Sequence, residues 1–282
     1  MATPAVMPGA TVVGRDVLRL SGIDTISFLQ GQLSQDIEAL AVGESAWSLL
    51  LQPQGKIDAW LRVSRSSDTD VVIDVDEGWG DEVVARLERF KLRVDVQIER
   101  LDWTMIALRG AGSAAQPVPE ATIAADAGWP GVEGVDLLGP DVRSPADIAE
   151  RTVADYESLR IEAGIPAMGS ELDGGTIPAE AGIVERSASF TKGCYTGQEL
   201  VARIDSRGSN TPRHLRRLVI EGDEDIETGA EVAQAGQTVG TVTSAAWSTR
   251  LDATVALAYL KRAAEVPGRA EVDGRAAEVM AP

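Results

Sequence analysis

The chain has 282 residues, 44% of them hydrophobic, and its 44 acidic against 26 basic residues give a formal net charge of −18. Such a chain can bury a substantial core in one or two domains, and its field opposes phosphate backbones and anionic lipid, which excludes nucleic acid and membrane as general partners. An anionic small molecule stays open, because a few arginines can converge in a pocket whatever the overall charge. One cysteine and one histidine, Cys194 and His214, permit no internal disulfide and no four-ligand zinc or iron–sulfur site within the chain. The first residues lack the basic and apolar stretches of a signal peptide, and no apolar run approaches the roughly 18 to 20 residues of a membrane span, so the expected location is cytoplasmic.

From Asp24 to Leu40 the apolar residues Phe28, Leu29, Leu33, Ile37 and Leu40 recur at three- and four-residue spacing, which predicts one amphipathic helix capped by Asp24. Strands are expected over Trp47–Leu51, Ile57–Val63 and Val71–Val75, the last alternating apolar and polar residues, with Gln54-Gly55 turning between the first two. A second amphipathic helix is expected from Asp81 to Leu92, then strands near Val94–Ile98 and Trp103–Leu108. The Ala-, Gly- and Pro-rich run from Gly110 to Gly134 reads as loops and short elements. Ser144-Pro145 reads as the start of a helix that continues through Tyr156 and Leu159 to a stop near Gly164-Ile165-Pro166. After Arg207-Gly208 the pattern changes to short strands, with Asp273-Gly274 suited to a tight hairpin. The alternation predicts an α+β body over 1–207 and a small β-barrel or sandwich over 208–282.

The segment KGCYTGQE, Lys192 to Glu199, carries the only cysteine. Thr196 and Glu199 fit a capping box that would start a helix. Cys194 would then sit near the positive end of that helix and two residues from Lys192, two features that stabilise a thiolate. Gly193 and Gly197 would let the backbone turn sharply or approach a ligand closely. A reactive or ligand-contacting cysteine and a small structural thiol both remain open on these residues alone. His214, beside Arg213 and Arg216, reads as a surface or packing residue.

KGCYTGQELVAR, Lys192 to Arg203, resembles the signature of the YgfZ-type folate-binding proteins, a branch of the superfamily that contains the glycine-cleavage T-protein, an aminomethyltransferase. Supporting segments stand in the matching order: LSGIDTISFLQGQLSQD from Leu20, PQGKIDAWLRV from Pro53, LRIEAGIPAMGSEL from Leu159 and IPAEAG from Ile177. The resemblance implies an α+β, aminomethyltransferase-like cloverleaf around a central hole that binds tetrahydrofolate or a one-carbon derivative, followed by a C-terminal β-barrel. It also implies a tetrahydrofolate-binding accessory protein that supports assembly or repair of iron–sulfur proteins, with iron–sulfur client or assembly proteins as partners. The alternative it implies is a folate-dependent aminomethyltransferase or demethylase.

On that resemblance, Cys194 and Asp58 are the candidate catalytic residues. Asp58-Ala59 stands where the T-protein has two adjacent aspartates. Asp136, or in competition Glu133, takes the place of a pterin-binding glutamate. Tyr156 takes that of a folate-contacting tryptophan, and Arg15 aligns with a second such tryptophan, so that contact is not carried over. A folate site needs an acid for the ring edge, an aromatic wall and a base for the tail. Arg160 and Arg203 are the candidates for the tail, and Glu180, Lys192 and Tyr195 complete the expected ligand-binding set.

Overall fold

A computed structural model describes residues 5–113, 121–206, 208, 210–223 and 225–281. Strand β1 (Gly9–Val13) is followed by β2 (Arg15–Ser21), helix α1 (Thr25–Gln32), β3 (Ser45–Leu51), β4 (Ile57–Arg65), β5 (Asp70–Asp76), α2 (Gly80–Phe90), β6 (Gln97–Leu101) and β7 (Thr104–Arg109). Then come β8 (Ile123–Asp126), β9 (Gly134–Gly139) and helices α3 (Val153–Glu162), α4 (Val184–Ser187) and α5 (Gln198–Asp205). One sheet has five strands in the order β3-β4-β5-β2-β6, and the other four in the order β1-β7-β9-β8. Strands β10 (Arg213–Ile220), β11 (Glu231–Gln234), β12 (Gln237–Ser248), β13 (Ala253–Lys261), β14 (Gly268–Val272) and β15 (Arg275–Met280) close a barrel. Arg207, at the expected boundary, lies outside the described residues, as does 114–120 of the expected loop run.

The alternation in β5 explains how the body is layered. Val71, Ile73 and Val75 face the main core with Leu29, Leu33, Val83 and Leu87 from the helical side. Val72 joins the core under the four-stranded sheet. Asp74, on the same side as Val72, is buried as well. The polar positions that look solvent-facing in sequence therefore face the gap between the two sheets.

Three local expectations change. The helix expected to reach Leu40 stops at Gln32, because Lys192 Nζ takes the carbonyls of Gln30, Leu33 and Gln35 at 2.7, 2.6 and 2.8 Å and the Gln30 side chain accepts from Ile37 N at 2.8 Å. The helix expected from Ser144 starts at Val153 instead, where Thr152 and Asp155 form a reciprocal capping box. The one described strand wholly within the Gly110–Gly134 run, β8, has four residues, a short element as expected. The expected Thr196 cap is replaced by Gly197, at φ 82, where a Cβ would meet Gln52 O at 2.5 Å, so only glycine permits this approach. In the barrel, Asp273 (φ 49) and Gly274 (φ 76) both have positive φ, as the turn between β14 and β15 requires.

Strand β4 carries a bulge: Leu50 faces Ala59 and Leu51 faces Ile57, leaving Asp58 unpaired in the register. The barrel meets α3 through Ile161, Leu215, Val255, Leu257 and Tyr259. A polar seam runs beside that contact. Arg160 Nη1 lies 3.1 Å from Glu171, whose other oxygen accepts from Thr243 at 2.7 Å and from Ser244. Glu162 binds Ser248 and Arg250, and Arg213 pairs with Glu180 at 2.9 Å.

Candidate functional site

Between the sheets lies a cavity of about 290 Å³, with Arg15, Trp47, Trp60, Arg62, Trp129 and Tyr156 among its walls. Trp47 stands opposite Arg62 across the β3/β4 ladder, with Trp60 two residues away on the same face. The two indoles stack at 4.2 Å with 22° between planes. Trp129 and Tyr156, also in the lining, meet at 5.1 Å. The result is an aromatic-lined slot, suited to a planar ring.

Charges underlie these rings in an almost closed network. Arg62 donates to Asp74 at 2.9 Å and to Asp136 at 2.7 Å. Arg15 bridges Asp74, at 2.9 Å, and Asp76, and Asp76 also accepts from Met168 N at 2.8 Å. Burial opposes ionisation of Asp136, but Arg109 and Arg62 outweigh it and hold the carboxyl below its ordinary value. Burial, reinforced by the charge of Asp136, pushes the Tyr156 phenol up to about 12, so it stays a neutral hydroxyl.

A few buried polar atoms stay outside this network. Arg109 Nη2 lies 2.8 Å from Asp136 Oδ1, yet off the hydrogen-bond direction. Arg109 Nε and Nη2, Asp136 Oδ1 and Trp47 Nε1 thus have no hydrogen-bond partner among the described residues. Arg109 Nη2 and Asp136 Oδ1 still attract each other as an ion pair, whereas Arg109 Nε and Trp47 Nε1 would each cost about 1–3 kcal/mol if left unpaired. Donors and an acceptor left open beside aromatic walls define a site for a polar, planar ligand.

Of the residues expected from sequence, the cavity brings together Asp136, Tyr156 and Arg160, and it includes Arg15. The others lie elsewhere. Asp58, unpaired at its bulge, lines a separate groove of about 620 Å³ together with Ile57, Trp79, Arg86 and Phe90. It accepts from Arg86 Nε at 3.1 Å, and that guanidinium lies 3.8 Å over the Phe90 ring. Glu133 is exposed and accepts from Gly112 N. Glu180 belongs to the barrel seam. Lys192 caps the end of α1 instead of standing beside the thiol, and burial brings its ammonium down to about 8. Tyr195 packs into the main core, and Arg203 is exposed on α5. Cys194 is exposed too. Sequence reasoning missed Trp47, Trp60, Trp129, Arg62 and Arg109. For Trp47, Trp60 and Arg62 the available signal was Trp60 alternating with Arg62 on one expected strand beside a tryptophan on its neighbour.

Comparison with known proteins bears on this architecture. Residues 213–281 match the family described as the glycine cleavage T-protein C-terminal barrel domain. A crystal structure of glycine cleavage system aminomethyltransferase T from Bartonella henselae superposes with a TM-score of 0.80 at 22% identity, covering 99% of this chain and 86% of that one. An aminomethyltransferase of Streptomyces avermitilis is 25% identical over 90% of this chain and 78% of its own length. An uncharacterized protein of Haemophilus influenzae is 26% identical over 81% of both chains. The chain is thus aminomethyltransferase-like in fold and in its barrel. Among the described residues no helix is long and apolar enough to cross a membrane, and no group of three or more acidic, Cys or His side chains is placed to hold a metal ion.

Proposed function

We propose that the central cavity binds a tetrahydrofolate and that the chain is a folate-binding accessory protein supporting the assembly or repair of iron–sulfur proteins. The observation that carries the folate reading is an aromatic-lined cavity with buried polar atoms in and next to its wall that make no hydrogen bond. A pterin is flat and rimmed by donors and acceptors, and the residues present fit it. Trp47, Trp60, Trp129 and Tyr156 would flank the ring, Asp136 Oδ1 would accept from a ring N–H, and Trp47 Nε1 would donate to an acceptor. When bound, the folate supplies nitrogens able to carry a one-carbon unit. Asp74, Asp76 and Asp136 are all held by arginines, so they serve to orient a ligand more readily than to shuttle protons. That supports binding over turnover. The iron–sulfur role rests on the resemblance of KGCYTGQE and on the exposure of Cys194 to a client or assembly protein. The division into a folate-binding body, 1–207, and a barrel, 208–282, belongs to this proposal.

The second reading, folate-dependent one-carbon transfer, is supported by relatives named aminomethyltransferase and by Asp58 on the wall of the larger groove. Calorimetry with tetrahydrofolate tests the shared premise, and no heat at millimolar ligand sinks both readings. Turnover of an aminomethylated carrier protein that disappears in Asp58→Asn favours the second. Loss of iron–sulfur enzyme activity in cells carrying Cys194→Ala, with folate binding intact, favours the first.

A further inference from the structure

We infer that Arg186 forms an anion-binding extension of the ligand site, taking a carboxylate-bearing tail from a ligand whose ring lies in the central cavity. The inference rests on the folate reading and assigns the tail of the ligand to residues outside the aromatic slot. A second pocket, of about 250 Å³, is lined by Pro130, Gly164, Glu185 and Arg186 and shares Ile165 and Pro166 with the cavity wall. The Arg186 guanidinium lines this second pocket and lies near the aromatic wall of the cavity. It is 5.5 Å from the ring centre of Trp60 and 5.9 Å from that of Trp47, both of which line the cavity.

The arginines that line the cavity, Arg15, Arg62 and Arg160, each hold a carboxylate within ion-pair distance, and so does Arg109, which pairs with Asp136. Arg186 does not, among the described residues; its hydrogen bond goes from Nη2 to Gly128 O at 2.8 Å. Asp126 attracts it from farther off, and Glu185 shares the pocket without pairing with it. Burial lowers the guanidinium from its ordinary value, the mark of a cation that has lost water without gaining a counter-ion. A planar fork so placed matches a carboxylate in two-point fashion. Stacking on the indole pair accounts for where Arg186 lies but leaves its charge uncompensated.

The test is a pair of ligands crossed with a pair of variants. Tetrahydrofolate and 6-methyltetrahydropterin, which has the ring without the glutamyl tail, are titrated into the wild type, Arg186→Gln and Arg186→Lys, following tryptophan fluorescence. Arg186→Gln should weaken tetrahydrofolate about tenfold while changing the pterin by less than about twofold, the scale of one charge-assisted contact. Arg186→Lys should recover part of the loss, and raising salt should narrow the difference between the ligands in the wild type only. Equal weakening of both ligands, or of neither, overturns the inference and leaves the folate site standing. A wild type that binds neither ligand overturns the folate reading and this inference with it. Thermal unfolding of each variant confirms that the titrations compare folded proteins.

Discussion

The cavity between the sheets and the seam between body and barrel are built from the same materials, buried arginines against buried carboxylates, but their pairing is completed differently. In the seam, Glu171 accepts from Arg160, Thr243 and Ser244, and Glu162 from Ser248 and Arg250; of the arginines there, Arg217 keeps one unpaired nitrogen. In the cavity wall, Asp136 and Trp47 each keep an atom without a hydrogen bond, as does Arg109, the ion-pair partner of Asp136. Burial of charge is common to both. What separates a fastening from a binding site is whether the last hydrogen bonds are made within the chain.

The contrast can be broken most forcefully at Arg62, which serves Asp74 and Asp136 together. Arg62→Met should cost about 3–5 kcal/mol in urea unfolding, because two buried carboxylates lose their partner. A loss below about 1 kcal/mol would mean that Arg109 and Arg15 suffice. In the seam, Glu171→Gln should cost about 1.5–3 kcal/mol, and differential hydrogen exchange should show the loosening in β12 and β13.

Smaller effects are expected at Asp136, Trp47 and Cys194. The folded-state pKa of Asp136 is depressed, so the stability its ion pairs provide is fully present above the unfolded carboxylate value of about 4 and is lost as pH falls through the lower folded value. Thermal midpoints of wild type and Asp136→Asn should therefore run parallel from about pH 5 to 8 and converge below about pH 4. Trp47→Phe keeps an aromatic wall but removes the open N–H. It should lower tetrahydrofolate affinity by about 0.5–1.5 kcal/mol in calorimetry while leaving unfolding nearly unchanged. Cys194→Ser should alter stability by no more than about 0.5 kcal/mol, as expected of an exposed side chain.

What could be read in advance was whatever depends on neighbours in sequence. The apolar spacing of Leu29, Leu33, Ile37 and Leu40 marked core positions, and all four are buried. Asp273-Gly274 marked a hairpin because its conformational demand is local. The end of α1 was not legible, since the ammonium that takes its carbonyls comes from Lys192, far along the chain. Asp74 looked like the solvent side of a strand, and only the second sheet, closing over that face, turns it inward. Thr196 and Glu199 matched a cap by spacing, but the approach of Gly197 to Gln52 required a backbone that no side-chain cap provides. Asp136 and Tyr156 were reached through resemblance. Trp47 and Arg62 needed the ladder between β3 and β4, which pairs them directly.

The unpaired residue in β4 has an implication for how proteins of this architecture diverge. Along a strand, sidedness follows the count of residues, so gaining or losing one residue at a bulge exchanges the faces of everything on one side of it. Here the count puts Asp58 in the outer groove and Trp60 in the slot. An insertion or deletion of a single codon between Gly55 and Ala59 would redistribute acid and aromatic between those two spaces more thoroughly than any point substitution. Alignments of this stretch are therefore better anchored on strand register than on matching letters.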